Sequence, residues 1–231
     1  MKTIGLIGGM SWESSAEYYR IINEETKKRV GGLHSAKSMM ASVDFAEIEN
    51  LQHEGRWDEA GQILTKLAQD VERGGADLLV LCTNTMHKVA DQMQAGIHIP
   101  LLHIADATAE RIRAAGMTKI GLLGTRFTME QDFYKSRLIE KFGLEVLIPD
   151  EVEREVVHCV IYDELCLGLI KDESREAYQR IMERLVERGV QGIILGCTEI
   201  ELLVHAEDST VPLFPTTHIH AEAAVEYALQ V

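Results

Sequence analysis

No C-x-x-C pair, no long apolar run and no excess of basic residues occur in this sequence, and each absence removes a class of function. The four cysteines, Cys82, Cys159, Cys166 and Cys197, do not have the spacing of a zinc ribbon or a dithiol redox motif, so they read as reduced thiols. The apolar stretch from Thr3 to Gly8 is too short for a signal-peptide core or a membrane span, which points to a cytoplasmic protein. Lys and Arg number 23 against 37 Asp and Glu, a formal charge of -14 that opposes attraction to nucleic acid and to anionic membranes. Neither G-x-G-x-x-G nor G-x-x-x-x-G-K-[ST] is present, so dinucleotide and P-loop sites lose their usual support. His218 with His220, and His103 with Asp106, fall short of a complete ligand set, and no metal site is expected.

What the sequence does contain is a repeat. Val71-Glu-Arg-Gly-Gly-Ala-Asp-Leu-Leu-Val-Leu-Cys82 and Val186-Glu-Arg-Gly-Val-Gln-Gly-Ile-Ile-Leu-Gly-Cys197 are near copies, and Thr3-Ile-Gly-Leu-Ile-Gly-Gly9 is echoed by Lys119-Ile-Gly-Leu-Leu-Gly-Thr125. Apolar residues at 46% and charged residues at 26% are ordinary for a globular chain, so fold class rests on pattern. Strands are expected at 3–8, 38–43, 77–82, 100–102, 119–125, 144–148, 192–196 and 211–214. Helices are expected at 13–30, 57–73, 86–93, 105–115, 129–142, 151–167, 173–188 and 217–229. Continuous apolar strands alternating with helices imply an α/β fold of two similar subdomains, each a parallel sheet flanked by helices, related by pseudo-two-fold symmetry around a cleft. Residues 1–104 with 208–231 are assigned to the first subdomain and 105–207 to the second. The return at 208 rests on the likeness of Val211-Pro-Leu-Phe-Pro215 to Ile99-Pro-Leu-Leu-His103.

In parallel sheets ligands gather where strands end and helices begin, because backbone N–H groups there are unpaired. Four segments qualify: Gly8 to Glu13 with Met10 and Ser11, Cys82 to His87 with Thr83, Asn84 and Thr85, Gly124 to Thr128 with Thr125, and Gly196 to Glu199 with Cys197 and Thr198. Small residues and hydroxyls suit a small-molecule carboxylate; turns and caps explain any one of these segments equally well, and the four together favour a site. Cys197 sits before an expected helix start, where the dipole would lower its thiol pKa and make it a usable base. Cys159 and Cys166 are seven apart on one expected helix face and are read as packing. His87 is placed behind the site, supporting a neighbour.

At these residues the whole chain resembles the aspartate/glutamate racemase family. Gly196-Cys-Thr-Glu199 matches that family's second motif. Its first motif, Cys-Asn-Thr-x-His, matches Asn84-Thr85-Met86-His87 and puts Thr83 where the family has cysteine. The ungapped internal repeat instead pairs Cys82 with Cys197. The two frames differ by one residue, which in a strand reverses a side chain's direction. The longer motif favours Thr83, leaving Cys82 in the core.

The resemblance implies a racemase that uses neither pyridoxal phosphate nor metal, with Cys197 as base toward the L-enantiomer and Thr83 opposite it. It also implies a homodimer, and substrate contacts from Met10, Ser11, Gln52, Asn84, Thr85, Thr125 and Thr198. L-Aspartate or L-glutamate is the expected substrate. Alternatives are a broad-specificity amino-acid racemase, a relative of hydantoin racemases or maleate isomerases, and a non-catalytic amino-acid-binding protein.

Overall fold

A computed structural model describes residues 1–230, and the chain divides into two compact units: Met1–Ile104 with the chain from His220 onward, and Ala105–Ile219. In the first unit β1 (Ile4–Gly8), α1 (Trp12–Val30), β2 (Ser38–Ser42), α2 (Phe45–His53), α3 (Trp57–Arg73), β3 (Leu78–Leu81), α4 (Ala90–Ala95) and β4 (Leu101–Leu102) follow in turn. The strands form one parallel sheet in the order β2-β1-β3-β4. β1 and β3 hold the centre, and their unbroken apolar runs are explained by burial on both faces.

Alternation along the strands sorts the core. Ile4, Leu6, Leu78, Val80 and Cys82 pack against Tyr18, Ile21 and Ile22 of α1, while Ile7, Leu79 and Leu81 pack with Leu64, Ala68 and Val71 of α3. Each fully buried Leu or Ile contributes about 1.5–3 kcal/mol.

α1 starts where the Ser11 side chain accepts the Ser14 N–H, carries Lys27, Lys28 and Arg29 in its last turn, and ends at Gly31 with φ 81. Cap, cations and a glycine able to take positive φ each complement the unpaired groups at a helix end.

The second unit comprises α5 (Ile104–Ala114), β5 (Lys119–Gly124), α6 (Arg126–Glu130), α7 (Asp132–Ser136), β6 (Glu145–Leu147), α8 (Glu151–Asp163), α9 (Asp172–Glu187), β7 (Gly192–Gly196), α10 (Ile200–Leu203) and β8 (Leu213–Pro215). Its sheet is again parallel, in the equivalent order β6-β5-β7-β8. The last helix, α11 (Thr216–Leu229), begins in this unit and supplies Ala221, Ala224, Val225 and Ala228 to the core of the first. Among the described residues no helix is long and apolar enough to cross a membrane.

Several expectations are corrected. The second boundary lies between Ile219 and His220, not at 207/208. Leu213 and Phe214 pair with Ile193 and Ile194, so the likeness between 99–103 and 211–215 marks the fourth strand of each sheet, not a return to the first.

The helix expected at 129–142 is broken. Thr125 caps it early by accepting the Thr128 N–H, Gln131 is extended at φ -81 and ψ 149, and Arg137–Lys141 widens into a π-turn. The helix expected at 151–167 opens on a reciprocal Asp150–Glu153 cap but stops at Asp163. Cys166 therefore lies in a separate 3-10 turn, Leu165–Leu167, and does not share a helix face with Cys159. The segment expected as helix 86–93 is a 3-10 turn, Thr85–Val89, followed by α4. α2 is a helix beyond those expected from the sequence; Asp44 caps it and Ile48, Leu51 and Gln52 form its buried face.

Candidate functional site

In the first unit, the ends of β1 and β3 are tied together by side chains. The Ser15 hydroxyl accepts the Gly9 N–H at 2.8 Å and donates to the Ser11 carbonyl at 2.9 Å, and the Ser14 hydroxyl donates to the Cys82 carbonyl at 3.1 Å. Gly9, at φ +93, is a position where only glycine fits without strain, since a Cβ there would lie 2.3 Å from the Val43 carbonyl oxygen.

Six of the sequence-derived site residues fall in this unit. Ser11, Thr83, Asn84 and Thr85 lie on the two joined turns, and Gln52 reaches the second of these turns from α2, its Nε2 donating to the Met86 sulfur at 3.0 Å. Gln52 is buried and its Oε1 meets no partner among the described residues. The Met10 side chain is buried with Ile7, Ile48 and Leu51, so it serves the core.

The sheets themselves decide between the two sequence frames. β1 pairs Ile7 with Leu81, and the Cys82 N–H donates to the Ile7 carbonyl at 2.9 Å, which sets Cys82 beside Gly8. β5 pairs Gly124 with Gly196. Because Gly8 and Gly124 are the same position of the repeat, Cys82 corresponds to Gly196, and Thr83 corresponds to Cys197. The ungapped repeat misaligns them because Leu78 follows Arg73 by five positions whereas Gly192 follows Arg188 by four. Cys82 is fully buried and its thiol is pushed far up by that burial, whereas Thr83 is half-buried.

In the second unit, Thr125 and Cys197 leave paired residues side by side. The Thr125 hydroxyl caps α6 and contacts the Thr128 hydroxyl at 3.2 Å; the Thr198 carbonyl accepts the Glu201 N–H at 3.2 Å. Cys197 is half-buried, and its Sγ donates to Glu199 Oε2 at 2.9 Å.

The expected lowering of the Cys197 thiol pKa does not occur. Burial raises it most, and the Glu199 and Cys166 charges and the S–H bond to Glu199 add to the rise, against one opposing bond from the Glu199 backbone N–H. α10 is only four residues long and starts at Ile200, too little helix to offset these effects. Glu199 joins the site beyond the residues expected from the sequence, where a carboxylate two residues after the cysteine is its signal.

The arrangement offers a protonated thiol with a carboxylate acceptor at one strand end, and at the equivalent end of the other sheet a hydroxyl among buried amides. These are groups for moving protons on a small polar molecule.

The family model for Asp/Glu/Hydantoin racemases matches residues 7–224. A solved structure of a proposed Asp/Glu racemase from Yersinia pestis is 59% identical with a TM-score of 0.95, covering 100% of both chains. An aspartate racemase homologue from Pyrococcus horikoshii is 35% identical with a TM-score of 0.87, again over 100% of both. The broad specificity amino-acid racemase RacX of Bacillus subtilis is 22% identical over 96% of each chain. With the match spanning both sheets and all four strand-end segments, this chain belongs to the Asp/Glu/Hydantoin racemase family.

Proposed function

We propose that the protein is a cofactor-independent racemase of L-aspartate, L-glutamate or both, working by proton transfer at Cα. The observation that carries this reading is the Cys197 thiol at the end of β7 with Glu199 as its acceptor at 2.9 Å.

Burial and the Glu199 carboxylate favour the protonated thiol. An arriving amino acid brings an ammonium group, and a cation near sulfur favours the thiolate, while Glu199 is placed to take the proton released. The Cys197 thiolate then removes the α-proton of the L-enantiomer, leaving a carbanion whose charge spreads into the α-carboxylate. Donors around Asn84, Thr85 and Thr198 would hold that carboxylate. The Thr83 hydroxyl is the proposed donor that returns a proton to the carbanion, directly or through a water it orients, and solvent restores it. A hydroxyl is a far poorer base than a thiol, so the reverse reaction from the D-enantiomer is slow, and the reading predicts strong preference for L substrates.

A broad-specificity racemase is the second reading. Gln52, expected among the substrate contacts, is an uncharged amide that would not by itself demand an acidic side chain, and RacX carries that description.

The experiment is Cα hydrogen exchange in D2O, followed by NMR for each enantiomer. Exchange from L-aspartate or L-glutamate with little from the D forms supports the first reading. Comparable exchange from neutral L-amino acids supports the second, and binding without exchange would show an amino-acid-binding protein instead.

A further inference from the structure

We infer that His87 is a positioning residue, which holds the Thr83–Thr85 turn in place through a single neutral tautomer. The inference rests on the reading that this turn belongs to the racemase site.

His87 is 3% exposed and lies on the 3-10 turn that follows Thr83. Its Nδ1 is 2.7 Å from the Thr83 carbonyl oxygen, and its Nε2 is 3.2 Å from the Ile104 backbone nitrogen. A carbonyl can only accept and a backbone N–H can only donate. Nδ1 must therefore carry the proton and Nε2 must be bare, so the ring is neutral with one tautomer fixed from both ends.

The ring thus ties the end of β3 to the chain leaving β4. Its own backbone N–H also donates to the Asn84 carbonyl at 3.1 Å. Two further histidines pack around it: His103 with ring centroids 4.6 Å apart, and His220 at 5.8 Å. His220 is locked in the opposite sense. Its Nε2 faces the Leu102 carbonyl at 2.8 Å and so donates, and its Nδ1 receives the Tyr18 hydroxyl at 2.9 Å.

The end of β4, Leu102 to Ile104, is consequently held by one imidazole donor and one imidazole acceptor. It forms a fixed anchor against which His87 sets the Thr83 carbonyl. A carbonyl held in this way fixes the peptide plane that precedes Asn84, and with it the direction of the donors that follow. Metal ligation is not needed to explain these rings, since both nitrogens of His87 and of His220 are engaged.

The two nitrogens can be tested separately. Asparagine places its amide nitrogen near the Nδ1 position and can keep the Thr83 bond; glutamine reaches the Nε2 position and can keep the Ile104 bond. If His87 positions the turn, His87→Gln lowers kcat for L-specific Cα exchange about 10- to 100-fold with KM within about threefold, while His87→Asn stays near the parent. Equal losses in both variants that track their melting temperatures, or no loss in either, would overturn the inference.

Long-range 15N–1H spectra of the unsubstituted protein give a readout that needs no activity. A neutral Nδ1–H ring at His87 is expected, and a charged or Nε2–H ring would sink the proposal. If the unsubstituted protein exchanges no amino acid at all, the racemase reading fails. The positioning role is then decided by that tautomer and by amide protection at residues 84–87, which should fall in His87→Gln and persist in His87→Asn.

Discussion

Thr83 and Cys197 occupy the same register position in their two sheets, each one residue beyond the pair that contains the repeat's strand-end glycine. A thiol at one position is therefore matched by a hydroxyl at the other, and the nearby Cys82 belongs to the core.

Thr83→Cys should add the missing thiol. Cα exchange from D-aspartate or D-glutamate, slow in the parent, is expected to rise by at least about tenfold, because a thiol is the stronger base. Exchange from the D side that stays unchanged in a folded Thr83→Cys protein would argue against the position.

Cys82→Ala should act on stability alone. Removing a fully buried sulfur packed among Leu6, Tyr18 and Val80 should cost about 1–2 kcal/mol, measurable by urea unfolding, with turnover per folded molecule retained.

Cys197→Ser should abolish exchange. Glu199→Gln should lower kcat by about 100-fold by removing the proton acceptor, and should also move the pH midpoint of Cys197 alkylation downward, since the carboxylate's charge and hydrogen bond help to hold the thiol up. The sign for stability follows from the same shift. A thiol whose pKa is raised in the folded state stabilises it fully below the unfolded value of about 8.5 and loses that contribution as pH rises beyond it. The parent's alkaline loss of stability should be smaller in Cys197→Ser.

Asp106 tests the acid side. Burial pulls its pKa upward, but hydrogen bonds from Arg137 at 2.5 and 2.8 Å and Lys141 at 2.7 Å, with their charges, outweigh it and hold the carboxyl below its ordinary value. Stability from this cluster is present above the unfolded pKa of about 3.9 and is lost as pH falls through the lower folded value. Asp106→Asn should cost about 1–2 kcal/mol at pH 7 and flatten the acid limb of a melting-temperature profile.

Gly9→Ala should destabilise by roughly 1–3 kcal/mol, because the new Cβ would meet the Val43 carbonyl in a backbone conformation that alanine avoids. Thermal melting checks this directly.

Much of the architecture is legible in the amino-acid order alone. The apolar runs of β1, β3, β5 and β7 and the matched Val-Glu-Arg-Gly segments mark a doubled parallel α/β fold, because strands buried on both faces have no room for polar alternation. Helix ends are less legible where local geometry depends on neighbours. The extended Gln131 carries no glycine or proline to announce it, and Asp44 with Ile48 and Leu51 makes a helix signal too short to stand out beside α3.

The repeat, the strand-end segments and the presence of cysteine, threonine and glutamate in them follow from residue order, which is sufficient for each. The Asn84-Thr85-Met86-His87 motif and the ungapped repeat disagree over whether Thr83 or Cys82 answers Cys197, and folding resolves them, because hydrogen-bond register aligns two strands that start five residues after Arg73 and four after Arg188. The protonation of Cys197 has the same origin, since the nearness of Glu199 and the loss of water around the sulfur arise only when the strand end is folded.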